Sequence, residues 1–71
     1  MLKLKFGSNI EFDYVNYKGV KSRRKIEVGK IYYGSTEYHQ EEQWLLEGFD
    51  HKKESFRVFA MKDMCYVVEL D

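Results

Sequence analysis

Gln43-Trp44-Leu45-Leu46-Glu47-Gly48-Phe49-Asp50-His51-Lys52-Lys53-Glu54-Ser55-Phe56-Arg57-Val58-Phe59-Ala60-Met61 is the stretch that decides the fold. Residues 43–50 and 55–61 read as two strands, rich in aromatic and aliphatic side chains that suit a pleated, half-buried surface. Between them, His51-Lys52-Lys53-Glu54 is too polar to bury and short enough to reverse two antiparallel strands. In the second strand Phe56, Val58 and Ala60 alternate with Arg57, Phe59 and Met61, so one guanidinium interrupts an apolar run. The first strand carries Trp44, the only tryptophan of the chain. An indole and an arginine on one hairpin suit a ligand site on a small barrel. They equally suit a hairpin that is simply well packed.

The chain has 71 residues, enough for one domain with a thin stability margin. One cysteine allows no internal disulfide, so the core must rest on aromatics: six Tyr, five Phe and one Trp. Self-association is a second route to stability at this size, and a homodimer is one expected state. Twelve basic residues balance twelve acidic ones. Proteins that grip duplex nucleic acid through phosphates usually carry a positive excess, so sequence-independent duplex binding is not expected. No apolar run approaches a membrane span, and Lys3 and Lys5 interrupt the first apolar residues, against a signal peptide. A free thiol and no export signal lead to the expectation of a cytoplasmic protein.

Before the hairpin, Leu2, Leu4 and Phe6 alternate with Lys3 and Lys5 as a half-buried strand, and Gly7-Ser8-Asn9 is a turn. Ile10, Phe12 and Tyr14 alternate with Glu11 and Asp13 in a strand that continues to about Tyr17, and Lys18-Gly19 is a reversal. From Val20 to Val28 one face holds Val20, Ser22, Arg24, Ile26 and Val28. Arg24 therefore points toward the side that Ile26 and Val28 bury. It needs an anionic partner, a route to water or a ligand. Gly29 marks a bend before the short strand Lys30-Ile31-Tyr32-Tyr33. Residues 34–43 form one long polar connection carrying Ser35, Glu37, Tyr38 and His39, on the kind of loop where specificity tends to reside. After the hairpin, Lys62-Asp63-Met64 reads as a short 3-10 turn and Cys65 to Leu70 as a last strand, with Cys65 an inert core thiol.

No sustained helical period, repeat or linker is present. The expected fold is all-β: a small SH3-like or Sm-like barrel of five to seven antiparallel strands with at most a 3-10 turn, and residues 1–71 as a single domain.

Catalysis and metal binding find little support. His39, His51 and Cys65 fall on a loop, a turn and a strand without tight ligand spacing, and no Gly-rich phosphate loop precedes a helix. Cys65 and His39 lack a third residue to orient them as a nucleophilic pair. No catalytic residue, metal or cofactor is therefore expected. Binding fares better. Tyr14, Tyr33, Tyr38, Trp44 and Phe59 offer flat faces, and Arg24 and Arg57 offer forked donors. That mix suits a nucleotide-like ligand or a single-stranded nucleic acid end, and it serves a peptide as well.

A family resemblance sharpens this reading. Tyr14, Asn16-Tyr17-Lys18-Gly19, Arg24-Lys25-Ile26, Ile31-Tyr32-Tyr33-Gly34-Ser35-Thr36-Glu37-Tyr38-His39, Gln43-Trp44-Leu45-Leu46-Glu47-Gly48-Phe49-Asp50 and Arg57-Val58-Phe59-Ala60-Met61-Lys62-Asp63-Met64 fall in one order. This order, over about residues 10–64, resembles a stand-alone WYL domain of the short form found in bacteria and phages. The resemblance implies an Sm-like or SH3-like barrel that senses a nucleic acid or nucleotide-like ligand in regulatory proteins. It places ligand contacts on Arg24, Trp44 and Arg57. Leu45 stands where the family has Tyr, and Val28 where Pro is usual. No helix-turn-helix is read in these residues. The expected ligand set is Tyr14, Arg24, Tyr33, Ser35, Glu37, His39, Trp44 and Arg57, with Arg24, Arg57 and Trp44 facing a common hollow. The alternative is a non-enzymatic, phage-encoded adaptor that docks on a host protein through the barrel edge.

Overall fold

A computed structural model describes residues 4–70. Its described residues form five antiparallel strands, β1 (Asn9–Val15), β2 (Lys21–Gly34), β3 (Gln43–Asp50), β4 (Ser55–Ala60) and β5 (Met64–Glu69), with a 3-10 turn at Met61–Asp63 between the last two. They make one sheet in the order β4-β3-β2-β1-β5. β4 and β5 are its two edges, and no ladder joins them among the described residues. The expected hairpin is present, with Phe49 opposite Phe56 and Leu45 opposite Ala60, but its second strand ends at Ala60, and Met61 opens the 3-10 turn.

The sheet coils on itself. Tyr14 of β1 and Phe59 of β4 are separated by two strands in the sheet order, yet their ring centroids lie 5.0 Å apart. Phe12 completes an edge-to-face triad, 5.2 Å from Phe59 and 6.2 Å from Tyr14. Ile10, Ile26, Val28 and Leu46 fill the rest of this core. Each such side chain contributes roughly 1.5–3 kcal/mol on full burial. The alternation of Ile10, Phe12 and Tyr14 thus does what a half-buried strand requires.

The coil depends on two glycines. A Cβ on Gly48 would lie 2.6 Å from the Glu27 carbonyl oxygen, and one on Gly29 2.9 Å from that of Glu47. The β2–β3 register slips between Val28 and Lys30, so Gly29 is a bulge rather than a break. The two short strands expected on either side of it are one bent 14-residue strand. Beyond the bulge Ile31 stands opposite Leu46 and Tyr33 opposite Trp44.

Other expectations need correcting. Residues 4–6 are not a strand, and Leu2 and Lys3 lie outside the described residues. Ser8 Oγ and N both donate to the Lys5 carbonyl, and Gly7, at φ +85°, donates its N–H to Val28 O, which closes a turn. Leu4 packs on the core from there, while Phe6 is exposed. β1 stops at Val15 rather than Tyr17, because Asn16 Oδ1 accepts from the N–H groups of Lys18 and Val20. Cys65 is exposed, not in the core. It lies on an edge strand whose pairing with β1 is interrupted by a bulge, with Tyr66 at φ +53°.

Candidate functional site

An open hollow of about 640 Å³ lies beside β4, walled by the β1–β2 turn and by the connector between β2 and β3. Tyr14, Arg24, Glu37, His39 and Arg57 all line it. Five of the eight expected ligand residues therefore meet, although they come from four separate segments. Arg57 stands opposite Gly48 on the hairpin, and its side chain makes no hydrogen bond or ion pair with the described residues. Arg24 is mostly buried, with its side chain 14% exposed. Its guanidinium lies 5.9 Å from the Phe59 ring centroid, and its Nη1 donates a long 3.4 Å bond to Asp50 Oδ2. Its Nε is buried with no partner.

Asp50 was not anticipated. It is 1% exposed, and its other oxygen, Oδ1, accepts from the N–H groups of Lys52 and Lys53. One carboxylate thus shapes the hairpin turn and answers the buried cation. The signal in the sequence was an Asp closing an apolar strand within reach of an arginine that needed an anion. Tyr14 is fixed by its hydroxyl, which accepts from Ala60 N at 3.0 Å. Burial, above all, raises the pKa of this phenol above the ordinary 10.0; Asp63 adds to the rise, while the Ala60 bond and Arg24 oppose it.

Trp44 and Tyr33 do not join this group. They form an edge-to-face pair, centroids 5.3 Å apart, over a second, apolar hollow with Ile31 and Met61. Trp44 stands at the start of β3, whereas Asp50, the partner of Arg24, ends it. They are six positions apart along the strand, about 20 Å. The expected convergence of Trp44 with both arginines is not formed. Ser35 is exposed and lines neither hollow.

Two tyrosines take the place of the indole at the arginine hollow. Tyr17 and Tyr38 line it, 75% and 70% exposed, with ring centroids 6.3 Å apart and planes 32° from parallel. Tyr17 rides on the turn that Asn16 closes. Tyr38 sits in a turn where Thr36 and His39 exchange backbone hydrogen bonds and Thr36 Oγ1 accepts from the N–H groups of Tyr38 and His39.

Electrostatically the hollow is mixed. Glu37 and Glu47 line it beside the two arginines. Such a lining suits a ligand that carries both an anionic group and hydrogen-bond donors. Among the described residues no three His, Cys, Asp or Glu side chains gather as a metal cluster, and no helix is long and apolar enough to cross a membrane. Fold and site together define a small all-β module with one mixed, half-open hollow. Comparison with family models, with curated proteins and with solved structures returns no match to this chain.

Proposed function

We propose that the protein is a non-enzymatic ligand-binding module of WYL type, a cytoplasmic regulatory accessory that takes a nucleotide-like ligand or a single-stranded nucleic acid end in the arginine hollow. The observation that carries this reading is the shared lining by Arg24 and Arg57, the second with no partner among the described residues. Phosphate is held well by forked guanidinium donors, and stacked bases need no net positive charge. Glu37 and His39 supply acceptors for the amino groups of a base. Trp44 is no longer part of the ligand set. The five-strand order, the long bent β2 and the 3-10 turn between the edges are compatible with a small SH3-like or Sm-like barrel.

Titration of the folded protein with nucleotides and short single strands tests the proposal. Arg57→Ala, and Arg57→Ala combined with Arg24→Ala, should abolish measurable affinity. Unchanged affinity in folded variants would refute the site.

The open edge at β5 favours a second reading. Tyr66 and Val68 are 75% and 45% exposed along a strand with a single charge, Glu69, and Leu70 just beyond its end is 43% exposed. Exposed apolar edges of this kind add strands from partners. A protein-interaction adaptor, or a homodimer, would use that edge. Recovery of one stoichiometric protein partner, without nucleotide binding, would decide for it.

A further inference from the structure

We infer that Tyr17 and Tyr38 form a clamp that closes on the two faces of a planar nucleobase, while the arginines of the same hollow hold the phosphate attached to it. The inference rests on the proposed anion site and adds a specificity to it.

Two aromatic rings that sandwich a third must stand about 7 Å apart, twice the ~3.5 Å contact distance between carbon atoms. Tyr17 and Tyr38 stand at 6.3 Å and 32° from parallel. A small movement of either turn opens that gap to the thickness of one base. Both rings are largely exposed, so little packing is lost when they part. Their backbones are nevertheless held. Asn16 Oδ1 closes the Tyr17 turn with bonds of 2.9 and 3.0 Å, and Thr36 Oγ1 closes the Tyr38 turn with bonds of 3.3 and 3.0 Å. The two turns are separate connections, one between β1 and β2 and one between β2 and β3, so the gap between them can change without disturbing the sheet. Lys18 Nζ lies 5.7 Å from the Tyr17 ring centroid and adds a cation beside the clamp. Trp44, the most obvious stacking residue in the sequence, lines a different hollow and takes no part.

A free nucleotide and the end of a strand both present a base with its phosphate, so either source fits the clamp. Ligand-observed NMR titration with AMP, ribose 5-phosphate and a 5′-phosphorylated tetradeoxyadenylate separates the contributions. AMP is expected to bind roughly 10- to 100-fold more tightly than ribose 5-phosphate, the usual worth of a stacked base. Tyr17→Ala with Tyr38→Ala should erase that difference and leave ribose 5-phosphate binding unchanged. Phe at either position should preserve it, because stacking does not need the hydroxyl. A strand end that binds more tightly than AMP identifies the strand as the source, and the reverse identifies the nucleotide. Equal, Arg57-dependent binding of AMP and ribose 5-phosphate would overturn the clamp and leave the anion site standing. Binding of none of the three would overturn both.

Discussion

The backbone N–H of Ala60 donates a 3.0 Å hydrogen bond to the Tyr14 hydroxyl, joining β4 to β1 across the inside of the coiled sheet. The two strands are not neighbours in the sheet, so this bond and the Tyr14–Phe59 contact tie its far sides together. Tyr14→Phe keeps the ring and strands the buried N–H. The expected cost is about 1–3 kcal/mol, the penalty for an unsatisfied buried donor, measured by urea unfolding.

The same phenol predicts the alkaline limit of stability. Burial favours its neutral form, so its pKa lies above 10.0 in the folded chain. In the unfolded chain the phenol ionises first, and above that pH the native state holds more protons than the unfolded state. Stability from this group is therefore complete below about pH 10 and declines as pH rises toward the folded value. Spectrophotometric titration should show one lagging phenol that Tyr14→Phe removes.

Gly48 predicts a steric failure. A methyl group there would meet the Glu27 carbonyl oxygen at 2.6 Å and Ile26 Cδ1 at 2.8 Å. The carbonyl belongs to the β2 ladder and cannot turn aside. Gly48→Ala should lose about 3 kcal/mol, the upper range for overpacked cores. Gly19 is the control: a Cβ there has nothing within 4 Å, and only its φ of +80° opposes alanine. Gly19→Ala should cost about 1–2 kcal/mol.

These residues also show what the sequence could and could not reveal. Period-two alternation exposed Ile10, Phe12 and Tyr14, and the polar run at residues 51–54 exposed the hairpin, because both signals are local. Leu2, Leu4 and Phe6 alternate equally well in sequence, but so short a run does not outweigh the turn that Ser8 and Gly7 close after Lys5. The Gly29 bulge was legible only as a bend. Its effect on register is not local, and it is that register which sets Tyr33 against Trp44, away from Arg24. Arg24 was correctly read as a cation facing the core, and its need for an anion was plain. The identity of that anion depended on Asp50 lying near the β2 ladder, opposite Ile26.

Asp50 separates turn formation from charge balance. Asp50→Asn keeps an oxygen for the Lys52 and Lys53 N–H groups but removes the negative charge facing Arg24. Asp50→Ala removes both. The alanine variant should lose about 2–3 kcal/mol, with a smaller loss for asparagine. With its internal counter-charge gone, Arg24 should also hold phosphate severalfold more tightly in Asp50→Asn. Thermal melts and phosphate titration of the two variants check both expectations.

Arg57 and Arg23 provide the sharpest contrast between binding and stability. Arg23 Nε donates to Glu11 at 2.8 Å, while its Nη1 donates to Asp13 and to the Tyr66 carbonyl at 3.1 Å each, so it fastens β2, β1 and β5 together. Arg57, in the hollow, fastens nothing among the described residues. Arg23→Ala should lower the melting midpoint and leave ligand affinity unchanged. Arg57→Ala should keep stability within about 0.5 kcal/mol, as surface substitutions without such ties usually do, and should abolish binding. Paired measurement of melting and AMP affinity decides the matter: if Arg57→Ala melts early or keeps its affinity, the free guanidinium is not the ligand's handle.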